Sequence, residues 1–206
     1  MQETLCGRCG TKSRLHGIEY CNNCLKSIVV KRVGKALKSA VGRIRNKNFQ
    51  RQQRPKVSVI IIGEHKLTLE CATSVYLVKQ ALGHDFSVKV KVADPKKAAI
   101  AGKDAIIILP QCSDYLATGL IRRFISAPQI SQPHARTLTK PINILESITE
   151  KELALYAEIK RIKYEKKNKD LLTQVVEKLQ EKHPGTVEAI ARSAAHIREI
   201  EEDDKK

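Results

Sequence analysis

Residues 57–62 read Val57-Ser58-Val59-Ile60-Ile61-Ile62, a nearly unbroken apolar run. A run this short, rich in β-branched residues, has the character of a strand buried in a parallel sheet; helices need ten or more residues. The pattern downstream alternates with it. Thr68 to Leu82 keeps helical spacing and stops at Gly83, and Phe86 to Val92 alternates strictly, with Phe86, Val88, Val90 and Val92 on one face. Asp104 opens a second buried run, Ala105 to Leu109, and Gln111 to Ile125 reads as a helix that ends before Pro128. Pro141 to Leu145 fits a fourth strand. Thr149-Glu150-Lys151-Glu152 is a capping box that opens a helix running to Ile162. Two more helices follow, over Asp170–Lys182 and Thr186–Glu199, and the tail EEDDKK is expected to fray. Strand-helix-strand alternation predicts an α/β fold around a parallel sheet. The crossover from Asp94 to Lys103 is short, with room in AAIAG for a turn or two of helix.

Upstream of Pro55 the composition changes. Asn46 to Pro55, NKNFQRQQRP, loses all period and reads as a basic linker closed by proline. Before it, Val30, Val33, Leu37, Val41 and Ile44 recur at three- and four-residue steps, one apolar stripe on a helix. The other faces of that helix are basic, and no acidic residue occurs from Tyr20 to Gly63. A charge run is ordinarily a solvated face. Here it adjoins a cysteine array with no acid between them, which points to a polyanionic partner. The array is Cys6-Gly7-Arg8-Cys9 and Cys21-Asn22-Asn23-Cys24, two CxxC knuckles with eleven residues between them. Four thiolates close a tetrahedral zinc site and leave no open position for a substrate.

The 206-residue chain carries 38 Lys+Arg against 22 Asp+Glu, a net charge of +16. Aromatics are only 4% of it, with no Trp, which argues against a base-stacking platform. No apolar run approaches the roughly 18 residues a membrane span needs. The N-terminus MQETLCGRCG has no hydrophobic signal core, so a cytoplasmic location without membrane contact is expected. In a reducing compartment cysteines serve as metal ligands or stay free more often than they pair.

In open α/β sheets ligands bind beyond the carboxyl ends of the strands. After Ile62 the chain reads Gly63-Glu64-His65-Lys66-Leu67-Thr68. A phosphate cradle needs convergent amides on several glycines or small hydroxyl residues; this loop has one glycine, and Glu64 repels phosphate. The loop Pro110-Gln111-Cys112-Ser113-Asp114 is the other candidate. Asp114 equally suits a helix start, where a carboxylate meets the positive dipole end. Cys71 lies on the apolar face of its helix and reads as a small core residue. The six histidines show no metal-binding spacing.

Ribbon, basic helix and strand-loop-helix are followed by LPQCSDYLATGLIRRFI (109–125), ITEKELALYAEIKRI (148–162) and LQEKHPGTVEAI (179–190). This order resembles the cytoplasmic tRNA 2-thiolation proteins and their archaeal relatives. Those are PP-loop ATPases of the adenine-nucleotide α-hydrolase-like fold that make 2-thiouridine in tRNA. The most specific pieces are Ile148–Leu153 with Tyr156, and Glu181–Thr186. The chain also departs from the catalytic members. Their SGGxDS-type nucleotide loop is replaced by GEHKLT, Cys112 is not part of a CxxC, and the late cysteine expected near Tyr164 to Lys169 is absent. Their double aspartate is reduced to Ser113-Asp114.

The resemblance with these losses implies the degenerate, non-catalytic second subunit of a two-subunit thiolation enzyme. The expected organisation is a zinc ribbon (1–25), a basic helix and linker (26–55), a reduced, degenerate PP-loop-type α/β domain (56–200) and a charged tail (201–206). One structural zinc is expected on Cys6, Cys9, Cys21 and Cys24, with neither ATP nor an iron–sulfur cluster. The expected tRNA contacts are Lys26, Lys31, Arg32, Lys35, Lys38, Arg43, Arg45, Lys47, Arg51 and Arg54. Gly63, Glu64, His65, Cys112 and Asp114 would line a vestigial nucleotide pocket, and a catalytic PP-loop homologue would complete a heterodimer. The alternatives are a zinc-ribbon nucleic-acid binder unrelated to thiolation, a self-sufficient sulfurtransferase using Cys112, and a homodimeric structural protein.

Overall fold

The Val57–Ile62 run lies inside β3 (Lys56–Ile62), an inner strand of a four-stranded parallel sheet of order β4-β3-β5-β6. In the computed structural model the described residues are 4–13, 18–48, 56–63, 67–84, 86–93, 105–125, 141–166, 169–183 and 185–203. Only the backbone is described at 4, 39–41, 43–48, 56, 195 and 198–203. The other strands are β4 (Ser87–Ala93), β5 (Ala105–Leu109) and β6 (Ile142–Asn143). Register places Val59 opposite Val90 on one side and Ile106 on the other. The helices are α1 (Asn22–Asn48), α2 (Leu69–Leu82), α3 (Ser113–Ile125), α4 (Glu150–Ile159), α5 (Leu171–Lys182) and α6 (Thr186–Asp203). Two short strands, β1 (Thr4–Leu5) and β2 (Lys12–Ser13), form an antiparallel hairpin at the N-terminus.

Period-2 alternation builds the core. Val57, Val59 and Ile61 of β3, with Ile106 and Ile108 of β5, share one face and are buried with residues of α1, α2 and α4. Ile107, one step out of phase, is also buried, so β5 is covered on both faces. Lys89 and Lys91 of β4 are exposed, with Val88, Val90 and Val92 half-buried between and beside them. The helices α3, α5 and α6 pack on one another around Ala117, Val176 and Val187. The Thr149/Glu152 capping box forms as read, and Asp170 caps α5 through Thr173.

Several boundaries shift. The stripe of α1 that is buried is Leu25, Val29, Val33 and Leu37, four residues apart, while Val30 flanks it half-buried. The side chains of Val41 and Ile44 lie outside the described residues. An i, i+4 row fits better because α1 lies against α4, α2 and β6 and joins the main core. Its first turn starts inside the second cysteine knuckle, at Asn22. Of the fourth strand only Ile142 and Asn143 are laddered. The last helix runs on through Asp203, beyond Glu199 and into the expected tail. The crossover 94–103 and linker residues 49–55 lie outside the described residues.

One ion pair fixes α1 to the domain. The Arg32 guanidinium donates to Glu152 at 3.0–3.1 Å and to the Ser147 carbonyl at 2.7 Å. Glu152 also accepts the Thr149 N–H, so one carboxylate serves both the α4 cap and the α1 contact.

Candidate metal centre and the crevice at the sheet edge

The first knuckle grows out of the β1–β2 hairpin. Cys6 N–H donates to the Thr11 carbonyl and Gly10 N–H to the Cys6 carbonyl, closing a tight turn in which Gly10 has φ +70°. Gly7 N–H reaches across to the Glu19 carbonyl at 2.7 Å, so the two knuckles face one another. The second knuckle is itself the first turn of α1, with Leu25 N–H donating to the Cys21 carbonyl. The four sulfurs of Cys6, Cys9, Cys21 and Cys24 all lie within 4.8 Å of one another, and Cys9 and Cys21 are 3.7 Å apart. Zinc–sulfur bonds of about 2.3 Å in a tetrahedron put sulfurs about 3.8 Å apart, so the quartet fits one ion.

The thiols are set up to ionise unequally. Backbone N–H groups, that of Cys21 foremost, pull the Cys6 thiol down to about 6. The backbone N–H of Cys24 and the Thr11 hydroxyl lower Cys21. Cys24 is pushed up to about 12 by its hydrogen bond with Cys9, by burial and by the other sulfurs. Gathered thiolates repel, and a cation among them removes the conflict by displacing the remaining protons. The N-terminal cluster is thus consistent with a zinc ribbon.

A second place for chemistry follows from topology. The chain leaves β3 towards β4 on one side, and β5 then adds on the other, so the carboxyl ends of β3 and β5 form the switch point of the sheet. Gly63 sits there and donates its N–H to Ala93 at 3.0 Å. A Cβ on Gly63 would stand 2.2 Å from the Cys71 sulfur, so the first turn of α2 packs directly on this backbone. Thr68 caps that turn by accepting from Cys71 N–H. On the β5 side Asn143 clips the loop, donating to the Gln111 carbonyl and accepting from Gln111 N–H and Leu145 N–H.

Cys112 is 1% exposed, and its thiol is pushed well up, first by burial and then by the charges of Glu70, Asp114 and Glu150. A thiol so held is not a thiolate at neutral pH. Asp114 accepts the Glu150 N–H at 2.5 Å and so sits at the N-terminus of α4 as well as in the first turn of α3. Burial raises its carboxyl to about 6, and the Glu150 N–H offsets only part of that. Glu64 and His65 lie outside the described residues.

The basic residues divide. Lys31, Lys35 and Lys38 are exposed on the side of α1 away from its buried row, and Lys26 is half-exposed. Arg32 turns inward to Glu152. The side chains of Arg43, Arg45 and Lys47, and all of Arg51 and Arg54, lie outside the described residues. A further basic segment, absent from the sequence-based set of contacts, reaches the start of α2. Glu165 N–H donates to the Leu67 carbonyl at 2.8 Å, and Glu165 bridges Thr68, which brings this segment to the N-terminus of α2. The charge of the run KRIKYEKKNK (160–169) is legible in the sequence; that Glu165 lies against Leu67 and Thr68 needed the fold.

No protein-family model matches the chain, and no curated protein matches it. Among solved structures it is similar to the U34-tRNA thiolase NcsA from Methanococcus maripaludis, determined with its 4Fe-4S cluster. The TM-score is 0.65 at 15% identity, over 97% of this chain and 88% of that one. At that identity the likeness is one of fold, and the fold expected from the sequence, α/β around a parallel sheet, agrees with it. No described helix is long and apolar enough to cross a membrane.

Proposed function

We propose that this chain is a non-catalytic, tRNA-binding subunit of a complex that makes 2-thiouridine in tRNA, paired with a catalytic homologue that binds ATP and transfers sulfur. The observation that carries the reading is a thiolase-like fold whose two thiols near the switch point are buried: Cys71 packs against Gly63, and Cys112 is sealed in the core and held protonated. The same observation weighs against a self-sufficient sulfurtransferase. Glycine-rich backbone is also missing there, because Gly63 stands alone and Cys71 packs against it.

The contribution of the chain is then contact and support. The ribbon takes one zinc ion on Cys6, Cys9, Cys21 and Cys24. Lys26, Lys31, Lys35 and Lys38 meet phosphates, which position an RNA without reading its sequence. Arg32 belongs to the fold, because its charge is engaged by Glu152. The α/β domain supplies the surface for the homologue.

Deleting the gene should abolish or strongly lower 2-thiouridine in bulk tRNA, read by nucleoside mass spectrometry, while the purified chain alone hydrolyses no ATP. Purification from native cells should bring down tRNA and a chain carrying an intact SGGxDS-type loop. Unchanged 2-thiouridine in the deletion strain would overturn the reading in favour of an unrelated zinc-ribbon RNA binder. Thiolation by the isolated chain would overturn it in favour of an enzyme.

A further inference from the structure

The segment after α4 is built as a presented edge. Ile162 and Tyr164 pack against the main core, while Arg161, Lys163, Glu165 and Lys166 are exposed. This is the alternation of an extended chain with one face buried. The Lys160 ammonium stands over the Tyr76 ring of α2, and the backbone of Glu165 is tied to Leu67 and Thr68, so the segment runs back along α2 and reaches the N-terminus of that helix. Its exposed side carries three cations against one acid, Glu165. Arg161, Lys163 and Lys166 make no ion pair among the described residues.

Arg161 carries a second, independent sign. Helix α4 ends in a Schellman turn: Ile162 N–H donates to the Ala157 carbonyl at 2.8 Å, and Arg161 N–H to the Glu158 carbonyl at 3.0 Å. The residue after the cap in such a turn is left-handed, and glycine is its usual occupant. Here Arg161 adopts it with φ +54°, the one non-glycine positive φ among the described residues. A side chain held in a strained backbone conformation, exposed and without an ionic partner, has a use outside the fold more often than a relaxed one.

We propose that Arg161, Lys163 and Lys166 form a second RNA-backbone contact, separate from α1, that holds a phosphodiester chain along the segment leading from the end of α4 to the N-terminus of α2. The proposal rests on the tRNA-binding reading above and deepens it. The partner is a polyanion because the segment offers long cationic side chains spaced along an extended backbone and no apolar or aromatic pocket. The contact reads no bases: three flexible cations neutralise phosphates and release counterions. Bound through α1 and this edge together, one RNA would be oriented as well as held.

The test uses the full-length protein and unfractionated tRNA, with affinity measured across a salt series. Substituting Arg161→Gln, Lys163→Gln and Lys166→Gln together should weaken binding about tenfold near 0.1 M salt and flatten the log–log salt slope by about 2–3. A parallel variant, Lys31→Gln, Lys35→Gln and Lys38→Gln, reports on α1 alone. Loss in the α1 variant with no change in the edge variant overturns this proposal and leaves the functional reading standing. Loss in the edge variant with none in the α1 variant upholds the edge and removes α1 from the functional reading. No tRNA binding by the unsubstituted protein overturns both.

Arg161→Gly separates side chain from fold. Glycine relaxes the left-handed backbone, so the melting temperature should rise by about 2–4 °C while tRNA binding weakens. A rise in melting temperature with unchanged affinity would make Arg161 a purely structural oddity and sink its part in the contact.

Discussion

Cys6 and Cys112 are equally hidden, 2% and 1% exposed, yet their thiols are driven in opposite directions. Around Cys6 the backbone turns its N–H groups toward the sulfur, and three more thiols stand close by. Around Cys112 there is apolar packing with the carboxylates of Glu70, Asp114 and Glu150 beyond it. Burial by itself therefore does not decide what a cysteine does; the groups aimed at the sulfur do. A knuckle of tight turns supplies such groups from the backbone. The strand-to-helix junction at Cys112 supplies only that residue's own N–H, which burial and the carboxylates outweigh, and its thiol is one more piece of core.

The largest expected effect breaks the first side of this comparison. Cys6→Ser with Cys9→Ser should release the bound metal, forfeiting an apparent binding free energy on the order of 10 kcal/mol. Hydrogen exchange should then be fast over residues 4–13 and slow in the parallel sheet, because β1 and β2 form a sheet of their own while α1 docks on α4. One equivalent of zinc retained by this variant would show that the ligand set is wrong. Alkylation of the native, chelated protein should label the four ribbon cysteines and spare Cys71 and Cys112 until unfolding.

Next in size is a titration on the other side. Asp114 has its carboxyl raised from 3.8 to about 6, so between those values the folded protein holds the extra proton. Its contribution to stability is present below about pH 4 and is lost as pH rises through about 6. Asp114→Asn keeps an acceptor for the Glu150 N–H and removes the titration. Relative to the parent protein it should gain about 2–3 kcal/mol between pH 4 and pH 7, read from urea midpoints. A difference independent of pH would mean that the Glu150 N–H cancels the effect of burial on this carboxyl, and one of opposite slope that the N–H governs it.

The smallest effect sharpens the picture of the crevice. Gly63→Ala puts a methyl group where the Cys71 sulfur is, at a cost of about 1–2 kcal/mol. Adding Cys71→Ala should restore part of that, a coupling that a double-mutant cycle detects. Additive losses would show that α2 does not press on Gly63.

Much of this was readable from residue spacing. The β3 and β5 runs, the capping box at Thr149 and Glu152 and the pairing of two CxxC knuckles all depend on local pattern, and each forms as its pattern requires. The row read on α1 was right at Val33 and Leu37 and missed Leu25 and Val29, because a long helix offers several apolar rows and the neighbour selects among them. Arg32 was grouped with the RNA contacts because its charge is visible in the sequence and its partner Glu152, 120 residues away, is not.

The sequence by itself determined the alternation of strands and helices, the paired CxxC knuckles and the acid-free basic stretch from Tyr20 to Gly63, since these depend on neighbours along the chain. Only the tertiary structure decided that Cys112 is buried with the carboxylates of Glu70, Asp114 and Glu150 beyond it, that Gly63 packs on Cys71, and that Glu165 lies against Thr68. Those are contacts between residues far apart in the chain. Dielectric, steric fit and electrostatic field at a site are set by whatever the fold brings there, and spacing along the chain carries no record of it.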